Sequence, residues 1–153
     1  MNRALQGGLI LGDAIVLYLA LLVMLFIRYG TVAGRGAQSH FSPFTILFLI
    51  WILVFYIAGL YDVRSLKNNS SFARKLALAL TTNFLFAIAF FYFVPGFGIT
   101  PKTNLVIFLV LFSLGMYVWR TSYNTALLAR GRGVRRILIV GYNQVAQELS
   151  DFI

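Results

Sequence analysis

Four long apolar runs alternate with short polar or glycine-rich segments along the chain. They extend from about Gly8 to Ile27, Pro43 to Tyr61, Leu76 to Val94 and Thr103 to Trp119. A helix that crosses a bilayer needs about 20 consecutive, mostly apolar residues, so each run predicts a membrane-spanning helix, the fourth being the shortest. Asp13 is the only charged residue between Gly7 and Ile27, and no charge lies between Lys75 and Lys102. The segments between the runs have turn and loop composition. Arg28 to Ser42 is rich in glycine and small polar residues, Asp62 to Lys75 contains Asn68-Asn69-Ser70-Ser71, and Pro95 to Lys102 holds Pro95, Gly96, Gly98 and Pro101.

Beyond Trp119 the pattern changes. Thr121 to Arg130 can continue the fourth helix out of the membrane until Gly131-Arg132-Gly133 breaks it. Ile137 to Val140 is a short, β-branched apolar run, Gly141-Tyr142-Asn143 is a turn, and Gln144 to Ile153 spaces Val145, Leu149 and Phe152 near one helix face. The expected fold is therefore an all-α membrane domain, a four-transmembrane-helix bundle over residues 1–133, followed over 134–153 by the first βα unit of a truncated Rossmann-like α/β domain. One strand and a partial helix cannot bury their own apolar faces, so the chain is expected to be a piece of a longer protein.

Composition and charge sharpen this picture. The 153 residues are 60% hydrophobic and 11% charged, against roughly 45–50% and about 25% in a soluble domain. A soluble globule and a disordered chain are both excluded. The net charge of +9 sorts by side. Ten of the Lys and Arg fall at the N-terminus, in the second loop and after the fourth run, whereas three, Arg28, Arg35 and Lys102, fall on the other side. Positively charged short loops stay in the cytoplasm, which predicts that both termini are cytoplasmic. The Asn-x-Ser matches at Asn68 and Asn69 then lie on the cytoplasmic side, as chance matches rather than glycosylation sites. The first run follows Arg3 as a signal peptide would, yet it ends in Arg28-Tyr29-Gly30 without a small-x-small cleavage site and is expected to be retained. The absence of Cys and the single His leave no thiolate or histidine-cluster metal site.

Asp13 is the most unusual residue, a carboxylate inside a span, and such a group is by default a functional-site hypothesis. The preferred reading places it near the interface, locally hydrated and paired with a cation such as Arg120, which lies at matching depth in the fourth run; the other is a direct role in binding substrate. Thr81, Thr82 and Asn83 in the third run suit interhelical hydrogen bonds rather than a transport pathway, and Ser113 and Gly115 suit close packing. Phe90 to Phe93 at one end of the third run, with Tyr61 and Trp119 at the other ends, match the aromatic belts of membrane interfaces. Arg130, Arg132, Arg135 and Arg136 form a basic flank, suited to stopping transfer or binding lipid head groups. No stacking platform interleaves them, so nucleic acid is not an expected partner. The turn with Gly141, Asn143 and Ala146 has the layout G-x-G-x-x-G/A of a dinucleotide-binding turn, with Asn143 at the middle glycine, where its side chain would crowd a pyrophosphate.

Gly12-Asp13 opening the first run, Gly59-Leu60-Tyr61-Asp62 closing the second, Trp119-Arg120 closing the fourth and a basic linker into Arg135-Arg136-Ile-Leu-Ile-Val-Gly141 occur in one order. Together these pieces resemble the N-terminal part of bacterial polyprenyl-phosphate glycosylphosphotransferases, the initiating sugar transferases of exopolysaccharide and O-antigen synthesis. The resemblance implies a multi-pass protein of the bacterial cytoplasmic membrane. It also implies a parent protein with a later catalytic domain that moves a sugar phosphate from a UDP-sugar to undecaprenyl phosphate with magnesium. No catalytic residue of that family maps onto these 153 positions, so this segment is expected to anchor, with the lipid bilayer and the rest of its own chain as partners and a homo-oligomer as an open option. The alternative is the membrane-bound, NAD-dependent nucleotide-sugar 4,6-dehydratases, whose N-terminal half has a similar plan. A non-enzymatic four-helix scaffold or small transporter is disfavoured by the unfinished βα unit.

Overall fold

The structure, a computed structural model, describes residues 3–32, 34–62, 68–94 and 102–129. Within them run four α-helices: α1 (Arg3–Tyr29), α2 (Arg35–Ile57), α3 (Ser70–Phe93) and α4 (Lys102–Ala129). No strand occurs among the described residues. All four helices are long and apolar enough to cross a membrane, over Leu5–Tyr29, Ser39–Ile57, Ser70–Phe93 and Thr103–Ala129. This is the architecture of a multi-pass membrane protein, because a backbone in hydrocarbon must satisfy its own N–H and C=O groups. The expected βα unit at 134–153 lies outside the described residues, as do Gly141, Asn143 and Ala146 and the basic flank of Arg130, Arg132, Arg135 and Arg136.

The helices depart from the apolar runs at their ends. α2 begins at Arg35 and passes through Pro43, whereas the pattern placed a loop up to Ser42. Ala37 favours a helix and Gly36 costs it only about 1 kcal/mol, while extending the helix closes backbone hydrogen bonds that a loop would leave open. Pro43 removes only one of them. At its other end α2 stops at Ile57 rather than at Tyr61, because Gly59 turns the chain with φ of 69°. The amide of Gly59 reaches the Tyr56 carbonyl and that of Leu60 reaches the Phe55 carbonyl, at 3.0 and 3.1 Å. These paired bonds and a left-handed glycine make a Schellman stop. α3 starts at Ser70, six residues before the apolar run, since the Asn69 side chain caps it by accepting from the Phe72 amide at 2.9 Å. Arg74 and Lys75 are therefore helical.

α1 packs most closely on α4, and α2 packs on α1 and α3. The α1–α4 seam is close because glycines open it. Gly8 and Gly12, four residues apart, share one face of α1. A Cβ on Gly8 would lie 3.3 Å from the Tyr123 hydroxyl, and one on Gly12 would overlap the Trp119 indole. Gly115 on α4 meets Val16 in the same way, at 3.1 Å. This spacing of small residues lets backbones approach where lipid supplies no hydrophobic drive. Between α2 and α4 the opposite holds, since large rings fill the gap. Phe44 and Phe108 centre at 5.1 Å, Trp51 and Phe112 at 5.0 Å, and Phe108 and Phe112 stack at 5.8 Å.

Candidate functional site

Apart from Asn83 in the middle of α3, the buried polar side chains of this apolar bundle gather toward its two ends. The larger cluster centres on Asp13, which is fully buried on the α4-facing side of α1. Arg120 projects from the α4 row Phe108, Phe112, Met116 and Arg120, a spacing of four that keeps one face inward. Its Nη2 donates to Asp13 Oδ2 at 2.5 Å, making a buried ion pair. Two further donors complete the carboxylate: Tyr61 Oη–H to Oδ2 at 2.8 Å and Trp119 Nε1–H to Oδ1 at 3.1 Å. The Leu60 carbonyl accepts from Arg120 Nη1 at 2.7 Å, and the guanidinium lies over the Tyr61 ring, 4.9 Å from its centroid. An ion pair out of water holds only when the remaining lone pairs and protons also find partners. Here the Asp13 oxygens are all engaged, while Arg120 Nε is left without a partner.

The local backbone explains why these residues and not others meet. The Schellman stop at Gly59 swings Leu60 and Tyr61 off the helix axis and back over α1 and α4. Gln6 Nε2 then donates to the Tyr61 carbonyl at 3.2 Å, which ties the turn to the first helix. Glycine at position 12 leaves room for the Trp119 ring beside Asp13. So Gly12-Asp13, Gly59-Leu60-Tyr61 and Trp119-Arg120, pieces distributed over three helices, form one buried structure.

Asn68 adds a tie beyond this cluster. Its amide donates to the Thr121 carbonyl and the Thr125 hydroxyl at 3.1 and 3.0 Å, and its carbonyl oxygen accepts from Asn124 Nδ2 at 2.9 Å. These bonds hold the last turns of α4 against the start of α3. At the opposite end of the bundle, Asn104 Nδ2 donates to the Tyr29 hydroxyl at 3.1 Å and meets His40 Nε2 at 2.9 Å. An amide nitrogen only donates, so the His40 Nε2 accepts.

Of the residues singled out by sequence, Asp13 and Arg120 are brought together. Tyr61 and Trp119, expected as interface anchors, instead serve the Asp13 carboxylate. Tyr92 and Phe93 do stand exposed at the end of α3. The third-helix polar group does not link helices through hydrogen bonds as expected. Thr81 donates back to the Ala77 carbonyl of its own helix at 2.9 Å, and Asn83 is fully buried with neither amide atom partnered. Gly8 and the Tyr29–His40–Asn104 cluster were missed by sequence reasoning. Gly8-x-x-x-Gly12 spacing was the available signal for the first; the second had none, since its residues come from three separate segments.

Asp13 is paired with Arg120 and accepts from two further donors, two bonds on Oδ2 and one on Oδ1, so its charge is held inside the bundle. Among the described residues no three His, Cys, Asp or Glu gather to hold a metal ion. What the arrangement can do is lock α1, the end of α2 and α4 in one relative rotation. No protein-family model, curated protein or solved structure matches the chain.

Proposed function

We propose that the four helices are the membrane anchor of a sugar transferase that moves a sugar phosphate from a UDP-sugar to undecaprenyl phosphate in bacterial polysaccharide synthesis. The observation that carries this reading is the convergence described above. The short segments on which the resemblance rests are distant in sequence, yet Asp13, Leu60, Tyr61, Trp119 and Arg120 meet in one hydrogen-bonded cluster. A set of motifs that maintains one bundle geometry is what an anchor needs, and no step of the transfer falls on these residues.

α4 supports the same role. Its 28 residues rise about 42 Å, more than the ~30 Å hydrocarbon core, and its last turns carry Thr121, Ser122, Asn124 and Thr125. The helix leaves the bilayer as a rigid stalk, held by Asn68, and leads into the basic flank. The excess of positive charge on that side orients the stalk toward the cytoplasm. An enzyme carried there, with its Rossmann-like and catalytic domains, is confined to the plane of its lipid acceptor, which raises effective concentration without chemistry from the anchor.

The test assays membranes containing this chain with its natural continuation past Ile153, supplied with UDP-sugars, undecaprenyl phosphate and magnesium. Formation of a lipid-linked sugar phosphate with release of UMP is the expected outcome. NAD-dependent conversion of the UDP-sugar with no lipid product would replace this reading with the 4,6-dehydratase one.

A further inference from the structure

α3 is the least buried of the four helices. It packs along α2 and touches α4 only sparsely, which leaves an open groove between α2 and α3 of about 630 Å³. Ile50 and Val54 form one wall, Leu78 and Phe86 the other, with Thr82 between them and Lys75 at one end. From Lys75 to Phe86 the helix rises about 16 Å, half of a ~30 Å hydrocarbon core. The groove is thus as long as one leaflet is deep, and its cation sits where that leaflet's head groups lie.

The charges around it have a definite sign. Lys75 is exposed, lines the groove and makes no ion pair among the described residues. Among the described residues no carboxylate lines the groove. A lysine at this level extends its ammonium toward the interface while its stem stays in apolar surroundings, and an anionic head group is attracted to it.

We propose that this groove seats an anionic phospholipid, one acyl chain lying between α2 and α3 and the phosphate ion-paired with Lys75. The apolar walls take the chain, and Lys75 selects the head group. A zwitterionic lipid offers the same chain but carries its own cation beside the phosphate, so it gains less from Lys75. The site is independent of which enzyme the anchor serves.

The test uses the purified chain reconstituted in vesicles of equal phosphatidylglycerol and phosphatidylcholine, extracted in mild detergent and weighed by native mass spectrometry. One phosphatidylglycerol retained per chain is expected. Lys75→Ala is expected to lower that retention about fivefold, while Lys75→Arg and Arg74→Ala keep it. Thr82→Trp fills the groove without touching the charge and is also expected to lose the lipid, with helicity by circular dichroism equal to the parent's. Equal retention of the two lipids, unchanged retention in both Lys75→Ala and Thr82→Trp, or a lipid-free dimer in place of the lipid adduct would each overturn the proposal.

Discussion

Arg120 donates to Asp13 at 2.5 Å across 107 residues of sequence, and both side chains are almost wholly removed from solvent. Removing one member of such a pair leaves the other charge buried and uncompensated. Either Asp13→Ala or Arg120→Ala alone is therefore expected to cost ~3–5 kcal/mol. Asp13→Leu combined with Arg120→Met removes both charges and is expected to cost much less than the two single losses together. Unfolding by dodecyl sulfate in mixed micelles measures all of them; additive losses would mean that the two residues do not act as a pair.

The phenol of Tyr61 is one of three donors to the carboxylate. Tyr61→Phe preserves the ring under the guanidinium and deletes only that donor, for an expected loss of ~1.5–3 kcal/mol, the range for a hydrogen bond to a charged group. The same micelle titration reports it, and a neutral result would show that Tyr61 acts by packing alone.

Glycine substitutions separate crowding from backbone preference. Gly12→Ala drives a methyl group into the Trp119 ring and is expected to destabilise by ~1–3 kcal/mol. Gly7→Ala has open space around it and is expected to be neutral or stabilising, since alanine favours the helix by up to about 1 kcal/mol. Equal effects at the two positions would contradict the close α1–α4 seam.

Gly59→Ala meets no neighbour, but it places a side chain at φ of 69°. The expected cost is ~1–2 kcal/mol from the left-handed conformation. Strain that moved the turn would also loosen the Leu60 carbonyl from Arg120, so the loss should shrink in an Arg120→Met background; an undiminished loss would confine the effect to the backbone.

Asn83 gives the opposite sign. Both of its amide atoms are buried without partners, and Leu has the same branching at Cγ with no polar atom. Asn83→Leu is expected to stabilise the bundle by ~1–3 kcal/mol by removing that penalty. A destabilised variant would reveal a polar partner for Asn83 that the isolated bundle does not display.

The apolar runs were enough to determine four spans, because the length of hydrocarbon to be crossed sets the length of each run. The depth of Asp13 and of Arg120 was legible for the same reason, and depth alone was enough to pair them. Gly59 was visible as part of a closing motif, and its physical task as a helix stop follows from glycine's access to positive φ. What the residue pattern left open was rotation. In lipid a helix is apolar on every side, so hydrophobicity does not mark the inward face as it does in water. Only the tertiary structure decided that Trp119 and Tyr61 turn inward to Asp13 instead of outward to the interface, that Asn104 finds His40 and Tyr29, and that Asn83 finds nothing. Those outcomes depend on how closely two backbones approach. Gly8, Gly12 and Gly115 set that distance between α1 and α4, and the large rings packed between α2 and α4 set it on the other side.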